Sequence, residues 1–247
     1  MNDKPLVTIL TPTRNSESTI GHAIESVLHQ TYPNIEYLIL DNLSEDRTLE
    51  IARSYQQAFE DRGCHFRILT GEDRGLYDAL NKGARQTQGE LIGQINSDDW
   101  YEPEAVETMV QLYEKESYDI AWASVRIHTP KGSFIKKARV GRIWTTAHFC
   151  HPTMFSRRQV LLQFPYAVQA LDDDFDLVLR VHNAGRKIVS SDRVLANYTF
   201  GGLSTTKSMR DAMTRARMKY RTYQRNGYSR FYLLYCVAVE LTKYLFA

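Results

Sequence analysis

The sequence predicts an α/β fold: a mostly parallel central sheet flanked by helices, with a C-terminal helical tail. Two observations carry that expectation. In the first half of the chain, short runs of Val, Ile and Leu alternate with segments whose apolar residues recur at helical spacing. Such alternation builds a parallel sheet with helices on both faces. Polar clusters, Thr11–Asn15, Asp41 and Asn96–Asp99, stand at the ends of three of those strands, where open α/β sheets bind their ligands.

Leu6–Thr11 reads as the first strand. Ser16 or Ser18 is placed to cap a helix with Ile20, Ala23, Ile24, Val27 and Leu28 on one face, and Pro33 ends the unit. Ile35–Leu40 is the second strand and stops at Asp41; Ser44 leads into a helix through Ile51, Ala52, Tyr55, Ala58 and Phe59. His65–Leu69 and Leu91–Ile95 are the third and fourth strands, Tyr77–Gln86 is the third helix, and Pro103 suits the first position of a fourth. The second half is less regular. Ile120–Ile127 and Ser133–Ala138 flank Thr-Pro-Lys-Gly as an antiparallel pair. Leu177–Arg186 reads as a helix closed by Gly185, Ile188–Val189 and Leu195–Tyr198 as short strands, and Phe200–Lys207 as a loop.

With 247 residues, 43% of them hydrophobic, one large α/β domain or a domain with a short appendage fits. A net charge of +2 gives no global attraction for nucleic acid. Three widely separated cysteines make neither a disulfide framework nor a Cys-x-x-Cys metal pair, which suits a reducing compartment. The opening Met-Asn-Asp-Lys-Pro enters a strand at once, without the pattern of a signal peptide. A stretch of about 20 apolar residues, the length a spanning helix needs, is missing. A cytoplasmic location is the expectation.

The segment Gly89–Trp100 carries the most chemical information. It is a short buried strand running into Asn96, Ser97, Asp98 and Asp99. Adjacent carboxylates in such a place repel each other and lose hydration, and they are tolerated where a cation or a ring of donors compensates them. Hard oxygen ligands at a strand end suit Mg²⁺ or Mn²⁺ carrying a phosphate-bearing substrate. An Asx-rich turn that caps the next helix is the alternative for the same residues.

Five segments, LVTILTPTRN (6–15), SVLHQTYPNIEYLILD (26–41), SEDRT (44–48), DRGLYDALNKG (73–83) and GELIGQINSDD (89–99), resemble glycosyltransferase family 2 in content and order. The resemblance resumes at Cys150-His151-Pro152 and at LDDDFDLVLR (171–180). It implies a GT-A fold, a Rossmann-like nucleotide-binding α/β domain, over residues 1–205. Its nucleotide-binding half is 1–100 and its acceptor half 101–205, with a basic and apolar helical extension over 206–247. The nearest flavour is that of bacterial enzymes that build O-antigen, capsule or exopolysaccharide.

The resemblance also implies roles. Thr11, Pro12, Thr13, Arg14 and Asn15 match the loop around nucleobase and ribose, and Asp41 the acid that accepts from the base's imide N–H. Arg74 would contact base or phosphate, and Asn81 and Lys82 belong to the same donor-binding set. Loop solvation, capping, helix stabilisation or a surface salt bridge would use these residue types equally well. Asn96-Ser97-Asp98 takes the place of an Asp-x-Asp element with Asn first. That leaves Asp98 and Asp99 to hold the metal, with Asn96 on the ribose or behind the ligands.

Asp172, Asp173, Asp174 and Asp176 form a second acidic cluster. Helix N-terminal capping is one reading. The resemblance places Asp173 and Asp174 on a Glu-Asp element whose Asp is the general base of inverting relatives, with Asp172 or Asp173 as base if the register slips. Attack by a sugar hydroxyl requires such a base, and crowding by other carboxylates raises its pKa. His151 would line the acceptor site or contact diphosphate or metal. Trp100 and Trp144 would stack on sugar rings or pack in the core.

The tail joins a basic stretch (Lys207, Arg210, Arg215, Arg217, Lys219, Arg221, Arg225), opposed only by Asp211, to the apolar run Phe231–Val239 and then Leu241, Tyr244, Leu245 and Phe246. Residues 209–247 thus suit docking at an anionic membrane surface, here the inner face of the cell membrane. Packing on their own domain or on a second subunit of a homodimer is the alternative. The implied activity is inverting, Mn²⁺- or Mg²⁺-dependent transfer of a sugar. The donor is a nucleotide-diphosphate sugar, UDP-linked, and the acceptor a hydroxyl of a glycan or polyprenyl-linked glycan. A sugar-1-phosphate nucleotidyltransferase would carry a Gly-rich phosphate loop and a lysine where Pro12-Thr13-Arg14-Asn15 stands. A non-catalytic sugar-nucleotide-binding protein is at odds with two intact acidic clusters.

Overall fold

The computed structural model describes residues 4–141, 145–169, 172–200 and 208–246. The expected loop residues 201–207, the stacking candidate Trp144, and Leu171 lie outside the described residues, as does the side chain of Phe246. In chain order the elements are β1 Val7–Thr13, α1 Ile20–Leu28, β2 Ile35–Asp41, α2 Thr48–Ser54, α3 Gln56–Asp61, β3 His65–Thr70, α4 Leu76–Gln86 and β4 Leu91–Gln94. There follow β5 Trp100–Tyr101, α5 Ala105–Glu116, β6 Ile120–Thr129, β7 Gly132–Lys136, β8 Phe155–Arg157, α6 Arg158–Gln163, α7 Asp173–Asn183, β9 Ile188–Thr199, α8 Met209–Arg225 and α9 Tyr232–Phe246.

These strands form one sheet in the order β3-β2-β1-β4-β8-β6-β9-β5, with β7 paired to β6. The first four are parallel to their neighbours. Helices cover the inner three on both faces, so β1, β2 and β4 are buried almost throughout and every residue of β2 is buried, while the edge strand β3 is partly exposed. Glu36, one of two carboxylates in β2 with Asp41, is paired: it accepts from Thr8 on β1 and from Arg67 on β3, so one carboxylate ties three strands. Strand β8 is antiparallel to both β4 and β6 and joins the parallel half of the sheet to the other half. Gly93 permits that junction, since a Cβ there would stand 2.7 Å from the Phe155 ring.

Local expectations needed revision where distant contacts decide. The helix expected through Ile51–Phe59 is interrupted at Tyr55, whose hydroxyl donates to Glu25. Helix α1 has no side-chain cap; instead the Ser16 carbonyl accepts from Thr19 and Ile20. Pro103 precedes α5 rather than opening it, and its carbonyl accepts from Thr31. The two short strands expected near residues 188–198 are one strand, β9, with a bulge where the polar Asp192 and Arg193 drop out of register with β6. Helix α7 starts four residues earlier than the apolar pattern suggests, so Asp173, Asp174 and Asp176 lie in its first turn. Strands β5 and β8 and helix α6 were not expected; each is too short to carry a period of its own.

The basic tail meets more than Asp211. Lys219 donates to Glu240 at 2.5 Å, and Arg225 reaches Asp173 and Asp176, both at 3.3 Å. Glu240 lies in the tail beyond its apolar run, whereas Asp173 and Asp176 belong to α7, where charge counting along the tail does not reach. Tyr223 of α8 is fully buried, stacks on Tyr232 at 4.2 Å and meets Phe175 of α7 edge-on at 5.9 Å. Both tail helices therefore feed the same hydrophobic core as the sheet.

Candidate active site

The carboxyl ends of β1, β2 and β4 open onto a cleft of about 1380 Å³. Thr13, the last residue of β1, pairs in register with Asp41, the last of β2. Both side chains are buried, and Thr13 Oγ1 and Asp41 Oδ1 have no hydrogen-bond partner; the other Asp41 oxygen accepts from the Ser44 N–H. Two orphaned polar atoms side by side cost on the order of 1–3 kcal/mol each until something occupies them. Pro12, Thr13 and Arg14 line the cleft, with Asn42 beside Asp41. Thr11 faces inward, where its hydroxyl accepts from Tyr37, and Asn15, at φ 49°, clasps Ser44 and Glu45.

The loop before α4 and the first turn of that helix supply a second wall through Asp73, Arg74 and Tyr77. Arg74 is largely exposed, 3.6 Å from Asp78. Lys82 lies behind this loop: it donates to the Glu72 carbonyl and to Asp78. Asn81 clamps the backbone of Tyr166 with a donor and an acceptor, both at 2.9 Å. Neither Asn81 nor Lys82 is part of the cleft wall.

After β4, Asn96, Ser97 and Asp98 line the cleft. Ser97 and Ser16 share a hydrogen bond of 2.9 Å, which locks this loop to the one after β1. The two adjacent carboxylates part company. Asp98 faces the cleft, and burial holds its pKa above the usual carboxylate range. Asp99 is 1% exposed and accepts from the Thr199 N–H and the Asn96 amide. Burial, then the neighbouring Asp98, pushes it up to about 8. Trp100 is sandwiched between His22 at 4.4 Å and His128 at 5.0 Å, away from the cleft wall.

Across the cleft stands Asp174, at the start of α7. Its carboxylate is 2.8 Å from Nδ1 of His151, and both side chains are about 15% exposed. Gln94, at the end of β4, also approaches His151 Nδ1, while His151 Nε2 is buried without a partner. Asp173 is wholly buried and bonded to Gln169 and Arg225, so its oxygens serve the packing of α7 against α8. Asp172 lines the cleft with one orphaned oxygen; burial, then Asp174, raises it to about 6. The reading from sequence did not single out Ser16, Asn42, Asp73 or Tyr77. Ser16, Asp73 and Tyr77 lie in or next to the quoted motifs, and that adjacency was the available signal. Lys136 of β7, also in the cleft, had none.

The ends of β1, β2 and β4 facing an acidic helix start across one cleft define the class: an α/β domain of GT-A type. The model of glycosyl transferase family 2 matches residues 8–171, and the chain belongs to that family. Chondroitin synthase of Escherichia coli is 29% identical over 189 residues, covering 73% of this chain and 27% of that protein. The structure of Staphylococcus aureus TarS 1–349 with UDP-GlcNAc superposes with a TM-score of 0.69 at 15% identity, over 96% of this chain and 72% of that one. Mannosyltransferase PcManGT from Pyrobaculum calidifontis, bound to GDP-Man and Mn²⁺, gives 0.73 at 16%, over 98% and 75%. At such identities the structures speak for the fold. The chain spans roughly a third of the curated relatives it matches, 30%, 33% and 27% of the first three.

Proposed function

We propose that the chain is an inverting, metal-dependent glycosyltransferase. Its donor is a UDP-linked sugar and its acceptor a hydroxyl of a glycan or polyprenyl-linked glycan in surface polysaccharide synthesis. One observation carries the reading: a single cleft brings the strand-end donor loops and Asp98 opposite Asp174 hydrogen-bonded to His151. The relatives support a nucleotide-sugar donor, since TarS is bound to UDP-GlcNAc and PcManGT to GDP-Man and Mn²⁺.

The orphaned Thr13 Oγ1 and Asp41 Oδ1 are suited to a nucleobase: Asp41 accepts from an imide N–H beside Thr13. Arg14 and Arg74 flank the same wall and would meet the phosphates. Among the described residues no three His, Cys, Asp or Glu side chains form a closed metal cage. That suits a hard cation held by one carboxylate together with substrate phosphates. Asp98, facing the cleft, fits as that ligand, and Thr199 ties the segment down by donating to the Asp98 carbonyl and to the Asp99 carboxylate. A divalent cation held there would screen the diphosphate and stabilise the leaving nucleotide.

In the transfer step the acceptor oxygen bonds to the anomeric carbon as the bond to the diphosphate oxygen breaks on the opposite face. The acceptor proton passes to Asp174. His151 orients that carboxylate through Nδ1, with its unpartnered Nε2 left to receive a hydroxyl. The exposed face of α8 and α9 carries the enzyme to an anionic membrane surface, where a lipid-linked acceptor resides. A panel of UDP-, GDP- and dTDP-sugars, with and without Mn²⁺, tests the reading. One UDP-sugar should be hydrolysed slowly in a Mn²⁺-dependent way, and Asp98→Ala should remove the metal response. Metal-independent hydrolysis, or an unaltered Asp98→Ala, would overturn it.

A further inference from the structure

We propose that the cleft wall built by β7, α8 and α9 is an anion seat, and that the acceptor presents a phosphate or carboxylate group to Lys136, Lys219 and Lys243. The inference rests on the division of the cleft into donor and acceptor sides given above. Lys136 ends β7, Lys219 lies mid-way along α8 and Lys243 near the end of α9, and all three line the cavity that holds Asp98 and Asp174.

The cations are under-compensated. Lys219, 6% exposed, and Lys243 donate to the same oxygen of Glu240, at 2.5 and 3.1 Å. The ammonium of Lys136 has no hydrogen bond or ion pair among the described residues. The other charged groups facing this wall are Asp172, Asp174 and Arg215. Asp174 is already engaged by His151. Asp172, raised to about 6 mainly by burial, bears on Lys219 as a counter-charge, which leaves Lys136 as the cation with no contact partner of its own among the described residues. The lysines carry the mark of this crowding. Burial, then Lys219, lowers Lys243, and Lys136 is lowered by burial with a further push from Lys219. Glu240 is held below its usual range although burial raises it, because both lysines bear on it.

Cations gathered in a partly dry cavity, one of them without a partner, are stabilised by an incoming anion through short charge-assisted hydrogen bonds. The donor's diphosphate is served elsewhere, by Asp98's cation, Arg14 and Arg74. Asp174 and Lys136 line the same cavity, so the wall looks onto the base, where the acceptor must arrive. A neutral glycan has no group that uses such a wall; a sugar phosphate or a uronate does.

The test uses the full chain saturated with UDP and Mn²⁺ and titrated at low salt with glucose 1-phosphate, methyl glucuronide or methyl glucoside, followed by nuclear magnetic resonance. At least one anionic probe should bind and the neutral one should not; which of the two binds more tightly separates phosphate from carboxylate. Lys136→Gln and, independently, Lys243→Gln should weaken the anionic probe about tenfold, with UDP affinity unchanged, and Lys136→Arg should restore it. Lys243 is about half exposed, so its variant keeps the fold if the Lys136 one does not. Equal binding of neutral and anionic sugars, indifference to both substitutions, or a parallel loss of UDP affinity would overturn the seat. Failure of UDP to bind the parent would instead remove the donor-site reading; the probe titration without UDP, and its response to the lysine variants, would still decide the seat.

Discussion

At the scale of single residues, the four clustered aspartates do different work because each meets a different environment. Asp173 and Asp176 are buried against Arg225, so they hold α7 to α8. Asp174 is the one bonded to His151 at the cleft. Asp174→Asn should therefore lower turnover by roughly 10²-fold or more with UDP affinity close to the parent, as steady-state kinetics and calorimetry would show; normal turnover would move the base elsewhere. Asp172 makes a pH prediction. Its carboxyl is raised from 3.8 to about 6 by burial and by Asp174. A raised carboxyl binds its proton more tightly in the folded state, so this residue's contribution to stability falls as pH climbs from about 4 to 6 and stays lost above that. The interval corresponds to on the order of 3 kcal/mol. Asp172→Asn should flatten that slope and raise the melting temperature at pH 7 to 8; an unchanged profile in thermal unfolding would contradict the assignment.

At the scale of elements, the strand ends and α7 are aimed by their neighbours rather than by their own sequence. Ser16 to Ser97 locks two loops, Asn81 clamps Tyr166, and Thr199 of β9 holds both Asp98 and Asp99 through its hydroxyl and N–H. The tail helices show two faces. Lys219, Tyr223 and Cys236 are buried in the domain, while Leu234 and Leu245 of α9, and Phe231 just before it, are more than 70% exposed. No described helix is long and apolar enough to cross a membrane. Exposed arginines, Arg210, Arg217 and Arg221, run along α8. Each basic residue near an anionic surface contributes about 1 kcal/mol, weakening with salt. The protein should co-sediment with phosphatidylglycerol vesicles at low salt and release at high salt, and Arg217→Glu with Arg221→Glu should abolish this without altering donor hydrolysis. No vesicle binding, with a doubled mass in solution, would assign that face to a second copy of the chain.

At the scale of the whole molecule, the cleft lies between a parallel half that presents strand ends and a mixed half that presents α7, β7 and the tail. The first half was legible: Leu6–Thr11, Ile35–Leu40 and Leu91–Ile95 each fall within a residue or two of β1, β2 and β4. Strands buried on both faces are written as unbroken apolar runs, and the register between β1 and β2 then brings Thr13 beside Asp41. The second half was harder. Strand β9 hides behind a polar bulge, and β8 is three residues long. Its place between β4 and β6 is decided by sheet pairing, which leaves no periodic trace.

What the sequence determined by itself is the alternating α/β order, the polar strand ends and the family motifs, because each is a local pattern that recurs at fixed spacing. Only the tertiary structure decided what each carboxylate meets. Asp98 faces the cleft while Asp99 turns to Thr199, and Asp174 meets His151 while Asp173 meets Arg225. It alone gathered Lys136, Lys219 and Lys243 on one wall from three separate elements. The physical reason is the same in each case: a carboxylate or an ammonium takes its role from the burial and the partners the fold assembles around it, and the deciding partners are remote in sequence, Thr199 for Asp99, His151 for Asp174 and Arg225 for Asp173.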